Sequence, residues 1–295
     1  MNYFMRRNDC RLCGKKNLHL VVKLTPTPPA NAFISENKLS VVQKCYPLDV
    51  YQCLDCKHVQ LLTVLNPKVL FENYVYVSGT SPVFIKHFKK YAEYVISKYN
   101  VQKGSLVVEI GSNDGTLLKF FRDSGMQVIG IDPAIKIANT ATKDGIETIP
   151  LFFNKKLAKR IRKEKGPANV IPANNVFAHV DDMNEFVEGI YELLSEDGIF
   201  IFEVSYLLDV YEKTLFDMTY HEHLAYHSVM PLESFFKKHG LELIEAIRVE
   251  THGGSLRGVV QRLGGSLEVG QSVSELIRLE SRLGLDNPET LKQFS

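Results

Sequence analysis

Residues 220–228 read YHEHLAYHS, a run in which Tyr220, His221, Glu222, His223, Tyr226 and His227 crowd six proton-handling side chains into eight positions. Such density can supply general acids, general bases and donors for a developing oxyanion. An unperturbed histidine titrates near physiological pH, so in its neutral form it can accept a proton. A single histidine or tyrosine usually serves packing, but a cluster of this density in an expected loop points to function. A second polar run, ANNVFAHV at 173–180, closes an apolar stretch and carries His179.

The five cysteines form two pairs and a singleton: Cys10 with Cys13, Cys53 with Cys56, and Cys45 alone. A two-residue spacer presents two thiolates to one cation, and two such knuckles complete a tetrahedral four-sulfur site for zinc. With all four positions filled by protein, the metal is expected to hold a module together and to do no chemistry. CRLCG ends on the glycine that lets the backbone turn around the metal, whereas CLDCK has Lys57 there. Cys45 is expected to be a small buried apolar residue.

A third chemistry-bearing stretch is EIGSNDG at 109–115, which has the spacing of an acidic-x-Gly-x-Gly-x-Gly loop with Asn113 at the middle glycine. Gly111 and Gly115 allow close backbone approach to a ligand, and Glu109 precedes them. Seventeen residues after Gly115 lies Asp132, in GIDP, where a carboxylate can accept hydrogen bonds from both ribose hydroxyls. The loop lacks the full dinucleotide pattern, and LELIEAIRVETHGGSLRGVVQRL at 241–263 alternates as two strands joined by a Gly-Gly turn. An antiparallel edge hairpin of that kind closes the methyltransferase version of this fold, so S-adenosylmethionine is the expected cofactor.

These residues need a scaffold that the rest of the chain can provide. Of 295 residues, 45% are hydrophobic and 23% charged, an ordinary globular balance. From residue 105 short apolar strands alternate with helical segments: SLVVEI, QVIGID, ANVIPAN and GIFIFEV. That rhythm predicts an α/β, Rossmann-like, mostly parallel sheet with its ligand at the carboxyl ends of the strands. PVFIKHFKKYAEYVISKY at 82–99 repeats at helical spacing, and the proline-rich KLTPTPPANAF predicts an extended crossing of the module surface. The expected division is a zinc-binding module at 1–65, a helical connector at 66–103, the cofactor-binding domain at 104–264, and the entrance to a C-terminal lobe at 265–295. Lys plus Arg number 35 against 34 Asp plus Glu, so no global field draws nucleic acid or an acidic membrane. No run of 18 apolar residues occurs, and a soluble, cytoplasmic monomer is expected.

CRLCG, TPPANAF, YPLDVYQCLDC, HVQL, EIGSNDGTLL, IDP, NNVFAHV, YHEHLAYHS and THGGSLR follow one another in an order and approximate spacing that resemble the sugar C-methyltransferases of branched deoxysugar biosynthesis. The nucleotide-linked 4-keto-hexose 3-C-methyltransferases are the nearest type, and the resemblance spans essentially the whole chain. It implies that Glu109, Gly111 and Asp132, with Asn113, Gly115 and Asn174 beside them, face S-adenosylmethionine. It further implies that Tyr74 or Tyr76 lies near the ligands, and that His179, Tyr220, Glu222 and His223 face a nucleotide-linked keto-deoxysugar. Members of this family usually continue for roughly another hundred residues as a second α/β lobe at the ligand interface.

A carbon beside a ketone becomes nucleophilic once its proton is removed and the enolate is stabilised. His223 is the expected base, Glu222 its orienting partner or a holder of a sugar hydroxyl, and Tyr220 or His179 the donor to the enolate oxygen. An oxygen acceptor needs less acid-base equipment. Three rival readings share parts of the pattern: a small-molecule O- or N-methyltransferase, a zinc-bearing RNA methyltransferase, which the near-zero net charge disfavours, and a noncatalytic binding protein.

Overall fold

The computed structural model describes residues 3–293 apart from Ala32, Asn73, Val75 and Tyr76. The N-terminal module is built from short strands because its turns come every few residues: β1 (Phe4–Arg6) pairs antiparallel with β5 (Thr63–Leu65). β2 (Leu18–Val22), β3 (Val50–Cys53) and β4 (Val59–Leu61) form an antiparallel sheet. Thr27 and Tyr46 bridge at the base of the proline-rich loop. Tyr46 takes the buried position there, so its neighbour Cys45 points outward and is exposed, contrary to the expectation of a buried thiol.

α1 (Pro67–Phe71) starts on an Asn66 side chain that accepts from Lys68 N at 3.0 Å, with proline at its first turn. α2 (Pro82–Lys98) has the same start, Ser81 capping Phe84 N, and buries Phe88, Tyr91, Ala92 and Val95 at helical spacing. Its apolar stripe packs with Val107, Leu117, Leu118 and Ile201, on one face of the central sheet.

The central sheet follows the expected βα rhythm: β6 (Leu106–Ile110), α3 (Thr116–Asp123), β7 (Gln127–Ile131), α4 (Ile135–Lys143), β8 (Thr148–Ile149), α5 (Lys155–Lys165), β9 (Ala168–Asn174), α6 (Met183–Leu193) and β10 (Leu194–Ser205). After α7 (Leu207–Glu212), β11 (Ala225–Tyr226) and α8 (Val229–Lys238) come β12 (Leu241–Val249) and β13 (Ser255–Arg262). The strand order is β12-β13-β10-β9-β6-β7-β8, parallel from β10 to β8. β13 lies antiparallel between β10 and β12, which makes the Gly-Gly hairpin the closing element of the sheet. Successive strands are added outward from β6 to β8 and then, from β9, on the other side of β6, so the order reverses between the parallel β6 and β9, and the crevice outside their carboxyl ends is where such sheets hold ligands.

β11 does not belong to this sheet. It pairs antiparallel with β4, Ala225 opposite Gln60 and Tyr226 opposite Val59, so the run YHEHLAYHS supplies the fourth strand of the zinc module's sheet. α9 (Gln271–Arg282) packs on β12 and α8, and α10 (Pro288–Lys292) packs on β2. Glu280 of α9 is buried and accepts hydrogen bonds from Tyr206 Oη at 2.7 Å, Val229 N at 2.6 Å and Met230 N at 3.0 Å. The carboxylate thus satisfies the open N–H groups at the start of α8. Among the described residues no helix is long and apolar enough to cross a membrane.

Candidate functional site

The four paired cysteines converge: their sulfurs all lie within 4.8 Å of one another, with Cys10 Sγ 3.5 Å from Cys56 Sγ and Cys13 Sγ 3.6 Å from Cys53 Sγ. Zn–S bonds of about 2.3 Å in a tetrahedron separate the sulfurs by about 3.8 Å, so the donor set fits zinc. The two knuckles turn alike. Gly14 N donates to Cys10 O and Lys57 N to Cys53 O, both at 2.8 Å, and Gly14 and Lys57 both adopt left-handed backbone, at φ 74° and 70°. Lys57 accepts a conformation that favours glycine while its Nζ donates to Leu54 O at 2.8 Å.

A cavity of about 600 Å³ opens at the switch point, large enough for a cofactor and part of an acceptor. One end is walled by Glu109, Gly111, Ser112, Asn113, Asp132 and Asn174. Gly111 has φ 72°, and a Cβ there would stand 2.2 Å from Val176 Cγ2, so only glycine fits between the loop and the end of β9. Asn113 takes φ 50° at the middle position, a conformation asparagine tolerates. Its Oδ1 accepts from Ser78 N at 2.9 Å, and Asp114 Oδ2 accepts from Gly79 N at 3.0 Å, docking the 78–80 turn onto the loop. Asp132 accepts from Asn113 N at 2.9 Å and from Ala134 N at 2.8 Å, so its carboxylate is aimed by the backbone. Burial pushes its pKa up and these two N–H groups pull it back.

Glu109 is buried at the end of β6, and its Oε2 has no hydrogen-bond partner. Burial raises its pKa well above the usual carboxyl range, with the charges of Asp114 and Asp132 adding to the effect. An orphaned buried acceptor beside a glycine turn suits a ligand that brings hydroxyl or ammonium donors. Gly115 is not in the cavity wall. It turns the chain into α3 at φ 74°, and a Cβ there would meet Ile146 at 2.9 Å.

The same cavity is also walled by Tyr74, His179, Tyr220, Glu222 and His223. Tyr76 lies outside the described residues. His223 Nδ1 is 2.8 Å from the Met218 carbonyl oxygen, which can only accept, so Nδ1 carries the proton and Nε2 a lone pair. Tyr220 Oη, 3.0 Å away, donates to that Nε2. Burial pushes the His223 pKa down to about 4, so the ring is neutral at physiological pH. Burial lowers His179 to about 3, and its ring centroid lies 5.2 Å from that of His223. His179 Nε2 is shielded from solvent and unpartnered, and the ring stacks on Phe71 at 5.4 Å. Burial also raises the Tyr220 pKa, which keeps the phenol protonated.

Glu222 does not orient His223. Its Oε1 accepts from Asn31 Nδ2 at 3.0 Å, and its Oε2 is buried without a partner. His221 also lines the cavity and donates from Nε2 to Tyr46 O at 3.2 Å, whereas His227 stacks on Phe177 at 4.8 Å. Asn31 and Phe71 were not foreseen as site residues. Asparagine inside TPPANAF, the residue of that segment best suited to the left-handed φ of 59° it adopts, was an available signal; Phe71 offered none.

Residues 10–71 match a family model described as a zinc binding domain, and residues 86–246 one described as a methyltransferase domain. The C-methyltransferase NovU of Streptomyces niveus is 33% identical over 288 residues, 98% of this chain and 69% of the relative. Among solved structures, the PH0226 protein of Pyrococcus horikoshii OT3 superposes with a TM-score of 0.51 at 14% identity, covering 66% of this chain and 98% of that one, a likeness of fold. The chain belongs to the S-adenosylmethionine-dependent C-methyltransferase family that carries an N-terminal zinc-binding module.

Proposed function

We propose that the chain methylates the carbon beside the ketone of a nucleotide-linked 4-keto-deoxysugar by way of an enolate. The observation that carries this reading is the buried Tyr220–His223 pair in the cavity wall, a neutral imidazole whose unprotonated Nε2 accepts from a protonated phenol. S-Adenosylmethionine, bound against Glu109, Gly111, Asn113, Asp132 and Asn174, supplies an electrophilic methyl group. His223 Nε2 takes the proton from the acceptor carbon, and the C–H electron pair becomes the carbon–carbon double bond of the enolate while the carbonyl π pair moves to oxygen. Tyr220 or His179 donates a hydrogen bond to that oxygen, a contribution of about 3 to 4 kcal/mol for one well-placed donor. Glu222 Oε2 holds an acceptor hydroxyl, and Tyr74 closes the wall above it. The enolate carbon then attacks the methyl group, and the C–S electron pair returns to sulfur.

The test is incubation with methyl-¹³C-labelled S-adenosylmethionine and a nucleoside-diphosphate 4-keto-6-deoxyhexose, followed by NMR of the product. A labelled methyl group coupled to a ring carbon supports the reading. Label on oxygen or nitrogen makes the chain a heteroatom methyltransferase, and no incorporation across a panel of keto sugars removes the sugar assignment.

A further inference from the structure

Arg11 lies between zinc ligands Cys10 and Cys13, yet its side chain is buried, with 1% of the residue exposed. A zinc knuckle requires two thiolates and a tight turn, and it has no use for a buried guanidinium. Long cationic side chains are almost never enclosed unless they are paired. Nε is ion-paired with Asp181 Oδ1 at 3.2 Å without forming a hydrogen bond, Nη1 donates to Gln60 Oε1 at 3.2 Å and to the Leu61 carbonyl, and Nη2 is buried without a hydrogen-bond partner. The backbone N–H of Arg11 also donates to Gln60 Oε1, at 2.9 Å, and its carbonyl accepts from Asn184 Nδ2 at 3.1 Å.

These partners lead to the two histidines of the cavity. Asp181 follows His179 by two residues on the same short connection out of β9. Gln60 and Leu61 belong to β4, where Gln60 faces Ala225 across the ladder and Leu61 N donates to Leu224 O at 2.9 Å. Leu224 is the residue after His223. One guanidinium therefore ties the anchor of each histidine to the other, by an ion pair from Nε to Asp181 and hydrogen bonds from Nη1 to β4, two contacts at separate nitrogens that the single ammonium of lysine does not reproduce.

We propose that Arg11 is a positioning residue that sets the spacing of His179 and His223 and makes the zinc knuckle the reference frame of the catalytic pair. The inference rests on the roles proposed above for those histidines. A displacement of about 1 Å at such a pair is enough to lower turnover about a hundredfold.

The test uses the zinc-loaded full chain with Arg11→Lys and, approached from the other side, Asp181→Asn. Expected for Arg11→Lys are unchanged zinc content, S-adenosylhomocysteine affinity within about twofold, and kcat on a 4-keto sugar nucleotide lowered at least about tenfold with KM changed less than about threefold. The ring NMR signals of His179 and His223, assigned through single histidine substitutions, should move in both variants. Asp181→Asn decides the matter if Arg11→Lys loses zinc or fails to fold. Folded, zinc-loaded variants whose histidine signals coincide with wild type overturn the inference. Shifted signals in a chain whose wild type turns over no keto sugar leave Arg11 in its role and remove the substrate reading instead.

Discussion

The Nδ2 amide of Asn31, in the loop of the zinc module, donates to Oε1 of Glu222 at 3.0 Å, across 191 residues of sequence. The second carboxyl oxygen of Glu222, a residue of the cavity wall, is left buried without a partner. Burial raises the pKa of Glu222, and the Asn31 bond lowers it. Removing the amide in Asn31→Ala should therefore raise that pKa further, so that at a given pH less of Glu222 is ionised. Any acid limb of the kcat/KM profile set by this carboxylate should move to higher pH, with adenosylhomocysteine affinity unchanged. A limb that stays in place in the folded variant would assign it to another group.

The sequence carried the parts of this site whose chemistry is local. Metal coordination dictates the two-residue cysteine spacers, and strand–turn–helix geometry puts Glu109 and Asp132 at strand ends, so both were legible. Pairing over long distance was not. β11 is two residues long, too short for an alternation pattern to announce that Ala225 and Tyr226 would join the zinc module. The same limit hid Asn31, Phe71 and the burial of Arg11. Lys57 shows a different limit: residue type argued against a left-handed turn that the Lys57 N to Cys53 O bond enforces.

Zinc removal should loosen the 220–228 run, because YHEHLAYHS contributes a strand to the sheet the knuckles hold. Purified chain is expected to carry about one zinc ion, and Cys13→Ser or Cys53→Ser to lose metal and stability. Hydrogen exchange should then accelerate at Leu61, whose amide bonds to Leu224 O at 2.9 Å. Zinc retained in a Cys10→Ser, Cys53→Ser double variant would contradict the ligand assignment.

Glu109 and Asp132 should separate in their effects on stability. With its folded pKa raised by burial, Glu109 favours the native state below its unfolded pKa, and this contribution is lost as pH rises through the folded value. Glu109→Gln should accordingly stabilise the ligand-free chain at pH 8 while weakening adenosylhomocysteine binding. Asp132→Ala removes acceptors for the ribose hydroxyls and also frees Asn113 N and Ala134 N, which should weaken binding by about 1.5 to 3 kcal/mol. Calorimetry giving wild-type affinity for Asp132→Ala would remove its assignment.

Acid should destabilise the chain between about pH 6.5 and 4. Burial lowers His227 to about 4, so the unfolded state binds a proton in this interval that the native state refuses. Its contribution is present above the unfolded pKa and is lost as pH falls through the folded one, at up to about 1.4 kcal/mol per pH unit. His227 stacks on Phe177, so His227→Phe should make the decline shallower by one proton's share, the shares of His179 and His223 remaining. Urea midpoints at pH 5 and pH 8 that fall equally in variant and wild type would place the proton uptake elsewhere.

His223→Ala and Tyr220→Phe should slow methyl transfer while leaving adenosylhomocysteine affinity nearly unchanged, since the role proposed for both side chains is on the acceptor and not on the cofactor. Loss of a positioned base costs on the order of a hundredfold to ten-thousandfold in rate. Tyr220 donates to the very nitrogen assigned as base, so the phenol must leave that bond to serve the enolate oxygen. Tyr220→Phe should then cost about 3 kcal/mol if the phenol is the principal donor, and much less if the unpartnered Nε2 of His179 shares the task. With a folded pKa of about 4, His223 stays neutral down to that pH, so no loss of rate between pH 8 and pH 5 should trace to its protonation. Exchange of the acceptor's alpha proton into deuterated water reports enolate formation without methyl transfer, and it should disappear in His223→Ala. Exchange that persists there would move the base to His179 or to His221, whose Nδ1 has no partner while its Nε2 bonds the Tyr46 carbonyl.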